Sequence, residues 1–170
     1  MQSHYDLEAV RPMWEELAAV GIQSLKTAQD VDDVLGKGGT ALVVVNSVCG
    51  CAAGNARPGT MLALQHNKIP DQITTVFAGV DHESVYRARE HMSNVPPSSP
   101  CIALFKDKKP VFVLERRHIE SMTAQAVAQA LTQAFDQHCA RNGPSIPPEQ
   151  FAKIAPVAMC GSNIPTNQPS

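Results

Sequence analysis

The sequence predicts one α/β domain in which helices flank a mixed central β-sheet. Residues 40–47, TALVVVNS, are continuous, apolar and rich in β-branched side chains, which is typical of a strand buried on both faces. From residue 40 the predicted order is strand, helix, strand, helix, strand, strand, helix. The start of this order indicates a parallel βαβ unit, and its end indicates an antiparallel hairpin followed by a closing helix.

Two helices are predicted before the first long strand. Apolar residues recur at helical spacing between residues 5 and 20, where Pro12 predicts a kink or a break. Thr27 and Asp30 have the spacing of a capping box, which opens a short helix that ends at Leu35 before a group of glycines.

The later elements follow from similar patterns. They are a kinked helix (51–66), a strand (73–79), a helix with Asp81 as N-cap (82–92), a loop (96–100), two strands of a tight hairpin (101–106 and 110–116) and an amphipathic helix (122–138). We therefore predict a folded domain over residues 1–141 and a proline-rich tail over 142–170, which holds six of the 13 prolines. Phe151 and Ile154 are the residues expected to dock this tail.

Composition excludes several classes of protein. A chain of 170 residues with a net charge of −2 has no basic stripe for nucleic acid, and no apolar run approaches the ~20 residues that cross a bilayer. The start, MQSHYDLEAV, lacks the features of a secretory signal, and five cysteines do not suit a disulfide-stapled secreted domain. We expect a cytoplasmic protein without a nucleic-acid or membrane partner.

Cys49 and Cys51 flank Gly50 where the buried strand should give way to a helix. The start of a helix presents free N–H groups and the positive end of the helix dipole, and both favour a thiolate over a thiol. A second thiol nearby can resolve a mixed disulfide formed on the first. A ring closed across one residue is tight, so we expect Gly50 to limit its strain.

Two other interpretations of the pair remain open. A structural zinc needs about four ligands, and Cys49 and Cys51 supply only two, with no further paired cysteines or histidines. The thiols could also be small buried residues at the end of a strand. We favour thiol–disulfide exchange and predict no metal.

The stretch VVVNSVCGCAAGNARP, followed by FAGVD, PPSSP and AFDQHC, resembles the bacilliredoxins over residues 5–139. The resemblance implies a thioredoxin-like fold with a CGC motif. It also implies removal of bacillithiol, a low-molecular-weight thiol rich in acid groups, from S-bacillithiolated client proteins. Cys49 would be the attacking thiolate, and either Cys51 or free bacillithiol would clear the adduct. Bacillithiol would then be a co-substrate, with no bound cofactor.

The resemblance also places supporting residues around the thiols. Pro100 matches the family's cis-proline, and the backbone of Ser99 would face a bound mixed disulfide. Asn46 and Ser47 could hydrogen-bond the thiolate or simply cap the backbone. Arg57 could favour the thiolate, bind a carboxylate of the small thiol, or be solvated.

Other reactive groups have plainer interpretations. Cys101, where the family more often has serine, is expected to be a small inward residue, with a third active-site thiol as the alternative. Cys139 is expected to pack at the end of the last helix, and Cys160 lies in the tail. The basic run Arg116, Arg117 and His118 is expected to be charged surface.

Two further functions share these residues. A general disulfide reductase or isomerase would use the same thiols but would need a broader apolar surface around them. A redox- or metal-sensing interaction module would instead use the tail to recruit a partner.

Overall fold

The structure, a computed structural model, describes residues 2–154. Its helices are α1 (Leu7–Ala18), α2 (Ala28–Gly36), α3 (Arg57–Ala63), α4 (His82–Glu90), α5 (Arg116–Ile119), α6 (Ala124–His138) and α7 (Pro148–Phe151). Its strands are β1 (Gln23–Ser24), β2 (Thr40–Asn46), β3 (Lys68–Ile69), β4 (Gln72–Phe77), β5 (Cys101–Lys106), β6 (Lys109–Leu114) and β7 (Arg141–Asn142). A π-helical turn, Ala52–Ala56, leads directly into α3.

Five strands form a mixed sheet in the order β1-β4-β2-β5-β6. The strands β1, β4 and β2 are parallel, β5 runs antiparallel to β2, and β6 runs antiparallel to β5 and therefore in the same direction as β2. Alternate residues of β2 pack on opposite sides, Leu42 and Val44 with α3 and α6, and Val43 and Val45 with α2 and α4. Helices thus cover both faces of the central strand, and the fold is thioredoxin-like, as expected.

The register of the sheet positions the CGC motif. Val45, near the end of β2, lies opposite Cys101, the first residue of β5. Because the two strands are antiparallel, the residues that follow Val45 and those that precede Cys101 emerge at the same edge of the sheet. Residues 47–51 and the Ser99–Pro100 peptide are therefore neighbours.

Several predicted local features are confirmed. Thr27 and Asp30 form a capping box. The hairpin turns at Asp107 and Lys108, whose φ angles of 50° and 72° match the two positive values of a type I′ turn. Of the kink or break predicted at Pro12, the break is excluded, because α1 continues through this residue. Asp81 precedes α4, but its side chain accepts no capping bond and lies 3.6 Å from Lys26 Nζ instead.

The kink predicted in the helix over residues 51–66 corresponds to the π-helical turn before α3. Pro58 has no N–H, so it cannot bond the carbonyl of Gly54, and the N–H of Arg57 reaches back five residues to Ala52. This widened turn immediately follows the CGC motif.

The first part of the predicted tail packs on the domain. β7 pairs with β3, and Ile146, Phe151 and Ile154 contact the core between the sheet and α6. The predicted boundary after residue 141 falls inside β7, and Cys160 lies outside the described residues. Within residues 2–154, no helix is both long and apolar enough to cross a membrane.

Candidate active site

Cys49 and Cys51 occupy the junction between β2 and the following helical segment. The carbonyl of Cys49 accepts hydrogen bonds from the N–H groups of Ala52 and Ala53, both at 3.1 Å, so Cys49 caps the start of that segment. Both thiols are free and partly exposed. The two side chains can therefore meet a disulfide arriving from solvent.

The Ser99–Pro100 peptide is cis and lies at the same edge of the sheet. The strand register places the backbone of Ser99 at the edge of the sheet where the CGC motif lies. Helix α5 closes the other side of this loop: Arg116 donates from Nη1 to the carbonyl of Ser99 at 3.2 Å, and its N–H donates to Ser98 Oγ at 3.3 Å.

Asn46 and Ser47 are buried and organise the backbone between β2 and the motif. Asn46 donates to the carbonyl of Met13 at 3.2 Å and accepts the N–H of Ser47 at 2.8 Å. The Ser47 hydroxyl accepts the N–H of Cys49 at 3.4 Å. Of the two roles predicted for these side chains, the structure displays the capping of local backbone.

Arg57 is fully buried beneath the motif, so the solvated alternative is wrong. Its Nε donates to Glu16 at 2.9 Å, and Nη1 donates to Asn46 Oδ1 at 3.1 Å and to the carbonyl of Ser47 at 2.7 Å. Its Nη2 has no hydrogen-bond partner among the described residues. The guanidinium thus ties α1, the end of β2 and the active-site helix together.

Sequence reasoning missed Glu16, the acidic partner of this arginine. A signal was present, because Glu16 lies three residues after Met13 and beside Leu17, both on the apolar face of α1. A carboxylate at such a position needs a buried cation. Burial lowers the pKa of the Arg57 guanidinium, while Glu16 and the negative charge of Cys49 raise it.

The environment of Cys51 favours its protonated form. Burial raises the pKa of the Cys51 thiol, and so do the neighbouring charge and hydrogen bond of Cys49. The positive charge of Arg116 lowers the pKa of this thiol and the negative charge of Glu120 raises it, so both charged residues of the α5 region act on Cys51 electrostatically. A hydrogen bond from Asn55 Nδ2 to the carbonyl of Ile119, at 2.9 Å, fixes α5 against the π-helical turn.

Gly50 is not required by the structure with free thiols. A Cβ built there would meet no atom within 4 Å, and its φ angle is outside the left-handed region. The predicted relief of strain concerns the ring of the Cys49–Cys51 disulfide and stays a prediction.

The two other described cysteines belong to the core. Cys101 and Cys139 are buried, and burial raises the pKa of each thiol to about 11. Such thiols are unreactive near neutral pH. Within residues 2–154, no three histidine, cysteine or acidic side chains form a cluster suited to a metal ion.

Comparison with known proteins identifies relatives of this chain. A family model described as Disulphide isomerase matches residues 5–139. The chain is 48% identical over 133 residues to a bacilliredoxin of Cytophaga hutchinsonii, covering 78% of this chain and 98% of that one. It is 41% identical over 167 residues to a bacilliredoxin of Salinibacter ruber, covering 95% of each chain. The X-ray structure of Fasciola hepatica thioredoxin superposes with a TM-score of 0.47 at 18% identity, covering 69% of this chain and 99% of that one.

Proposed function

The chain belongs to the bacilliredoxin family and is a thiol–disulfide oxidoreductase, and on this premise we propose that it removes bacillithiol from client proteins in the cytoplasm. The observation that carries the proposal is the pair of partly exposed thiols at the start of a helix, beside the cis peptide before Pro100. This arrangement lets a disulfide approach one thiol while the second stays within reach.

In the first step the Cys49 thiolate attacks the bacillithiol sulfur of the client's mixed disulfide. A new disulfide forms between Cys49 and bacillithiol, and the client leaves as its thiolate, which takes a proton from water. The raised pKa of Cys51 keeps this second thiol protonated, so it can donate a hydrogen bond to Cys49 without competing as a nucleophile.

The second step regenerates the free thiol. In one route, Cys51 loses its proton and attacks Cys49, which releases bacillithiol and leaves a Cys49–Cys51 disulfide for an external thiol reductant. In the other route, the thiolate of a second bacillithiol molecule attacks the sulfur of the bacillithiol that is bound to Cys49. The product leaves as bacillithiol disulfide, and the Cys49 thiolate is restored. Both routes conserve electrons, because each disulfide broken is replaced by another.

Arg57 supports this chemistry from below the loop. Because its guanidinium has no exposed surface, it is a positioning residue that holds the carbonyl of Ser47 and supplies positive charge near Cys49. The carboxylate-binding role predicted for Arg57 is therefore not part of the proposal.

Intact-mass analysis tests the proposal. The wild type, Cys49→Ala and Cys51→Ala proteins are each mixed with a bacillithiolated model protein. We expect Cys51→Ala to accumulate one bacillithiol adduct while the model protein regains its thiol, and Cys49→Ala to do neither. If the wild type leaves the model protein bacillithiolated, the substrate assignment is wrong.

Disulfide isomerisation is the second candidate, favoured by the description of the matching family model. An apolar pocket of about 140 Å³ beside the active-site helix, lined by Ala53, Pro58 and Met61 among others, could contact unfolded chains. Refolding of a scrambled disulfide protein separates the two functions. If the chain is an isomerase, it speeds the return of the scrambled protein to its native disulfides, and this effect requires both Cys49 and Cys51. If it only removes bacillithiol, the scrambled protein refolds no faster than with a free thiol alone.

A further inference from the structure

Arg116 lies at the rim of the proposed active site, although its sequence context indicated only charged surface. Its Nη1 donates to the carbonyl of Ser99, directly before the cis peptide, and its backbone N–H is held by Ser98. The side chain is 46% exposed. One edge of the guanidinium is thus fixed to the loop that faces the thiols, and the remainder is open to solvent.

Most of the donors of this guanidinium are unused. An arginine side chain has five N–H donors, and among the described residues the Arg116 side chain makes only the hydrogen bond to Ser99. The nearest carboxylate, Glu120, is 3.9 Å from Nε and is itself 54% exposed. Such a long, solvated contact leaves the guanidinium available to another carboxylate.

The neighbouring arginine side chains, Arg57 and Arg117, are each paired with a carboxylate of the protein. Arg57 is buried and paired with Glu16. Arg117 is 74% exposed and directs Nε and Nη2 to Glu115, at 3.4 and 3.1 Å. Arg116 also acts on Cys51 electrostatically, which places its charge near the sulfurs that exchange.

We propose that Arg116 binds a carboxylate of the low-molecular-weight thiol in the mixed disulfide and so selects anionic thiols over neutral ones. The inference rests on the proposed function, in which the attacked disulfide carries an acid-rich thiol. Arginine suits this role because its planar fork pairs with a carboxylate through two parallel hydrogen bonds. The bond to Ser99 fixes the fork before the substrate arrives.

The test compares two mixed disulfides of one model protein, capped with bacillithiol or with the neutral thiol 2-mercaptoethanol. For Arg116→Gln we expect kcat/KM to fall about 10-fold for the bacillithiol cap, the loss of one charge-assisted contact, and to change less than about 2-fold for the neutral cap. Arg117→Gln, the matched control, should alter neither value. Glu120→Gln should raise kcat/KM for the bacillithiol cap, because it removes the carboxylate that competes for Arg116.

The ratio of the two kcat/KM values decides the outcome. A purely structural effect of Arg116→Gln would lower both values together, and that result would overturn the inference. Equal effects of Arg116→Gln and Arg117→Gln would also overturn it, since general surface charge would then suffice. Should the wild type leave the bacillithiol cap in place, the proposed function itself fails; removal that is insensitive to Arg116 defeats only the inference.

Discussion

Burial divides the four described cysteines into two chemical classes. Cys49 and Cys51 are partly exposed at the start of a helical segment, whereas Cys101 and Cys139 lie in the core. Burial raises the pKa of both core thiols to about 11, so the folded protein keeps them protonated over a wider pH range than the unfolded chain does. The thiols of Cys49 and Cys51 are therefore accessible from solvent, whereas those of Cys101 and Cys139 contribute to the packing of the core.

This difference predicts a loss of stability at alkaline pH. In the folded protein the pKa of each core thiol is about 11, above the ordinary value of 9.0 for an exposed thiol. The contribution of each thiol to the free energy of unfolding is therefore complete below about pH 9 and is lost as the pH rises toward 11. We expect the free energy of unfolding to fall by roughly 2 kcal/mol per thiol over this window. Urea unfolding under reducing conditions at pH 8 to 11 measures it.

Variants separate the core thiols from lysine and tyrosine, which also titrate there. Cys101→Ala and Cys139→Ala should each have a shallower pH dependence than the wild type, whatever their stability at pH 8. Cys49→Ala leaves both buried thiols in place and should therefore keep a steeper pH dependence than either core variant. Parallel slopes in all four proteins would contradict this account.

At the candidate site, continuous motifs could be predicted from the sequence, whereas contacts between residues distant in the chain could not. The CGC motif and the loop before Pro100 were predictable because each is a continuous stretch with recognisable chemistry. The ion pair of Arg57 with Glu16 joins residues 41 positions apart, and the contact of Arg116 with Ser99 spans 17. No local pattern encodes such pairings, because they arise when elements pack.

At the scale of elements, strand register accounts for how the site is assembled. The antiparallel pairing of Val45 with Cys101 brings two loops together that are separated by some 50 residues of chain. The periodicity of the sequence predicted these strands, whereas the two-residue strands β1, β3 and β7 were missed. Strands this short carry too few residues for an alternating pattern to stand out.

The close packing of α3 against α6 depends on one glycine. A Cβ at Gly59 would lie 2.6 Å from the side chain of Val127 and 2.9 Å from the carbonyl of Ala124, so the absence of a side chain at Gly59 allows the two helices to approach closely. We expect Gly59→Ala to lower the free energy of unfolding by about 1–3 kcal/mol through overpacking. Denaturant unfolding at pH 7 gives the value.

Gly54 provides the matched control on the same helical segment. A Cβ there would meet no atom within 4 Å, so Gly54→Ala should be neutral or stabilising by up to about 1 kcal/mol. A Gly59→Ala protein as stable as Gly54→Ala would mean that α6 moves aside at no cost.

At the scale of the whole molecule, a buried network connects the N-terminal helix to the CGC motif. Glu16 of α1 pairs with Arg57 of the active-site helix, and Arg57 in turn holds Asn46 and Ser47 at the end of β2. Asn46 returns to α1 through the carbonyl of Met13. The helix that precedes the sheet is thus part of the support of the CGC loop.

This network predicts that substitution of one buried residue greatly lowers the free energy of unfolding. Glu16→Gln leaves the buried guanidinium of Arg57 without its carboxylate, and such a loss costs about 3–5 kcal/mol. Glu15→Gln, one residue earlier on α1 and 59% exposed, should change stability by less than about 0.5 kcal/mol. Replacing both partners, as in Glu16→Leu with Arg57→Met, should recover only part of the loss, because no charge stays buried but the hydrogen bonds of Arg57 to Asn46 and Ser47 are removed. Thermal and urea unfolding of the four proteins measure these differences, and a Glu16→Gln protein as stable as Glu15→Gln would show that the pair does not hold α1 to the active-site helix.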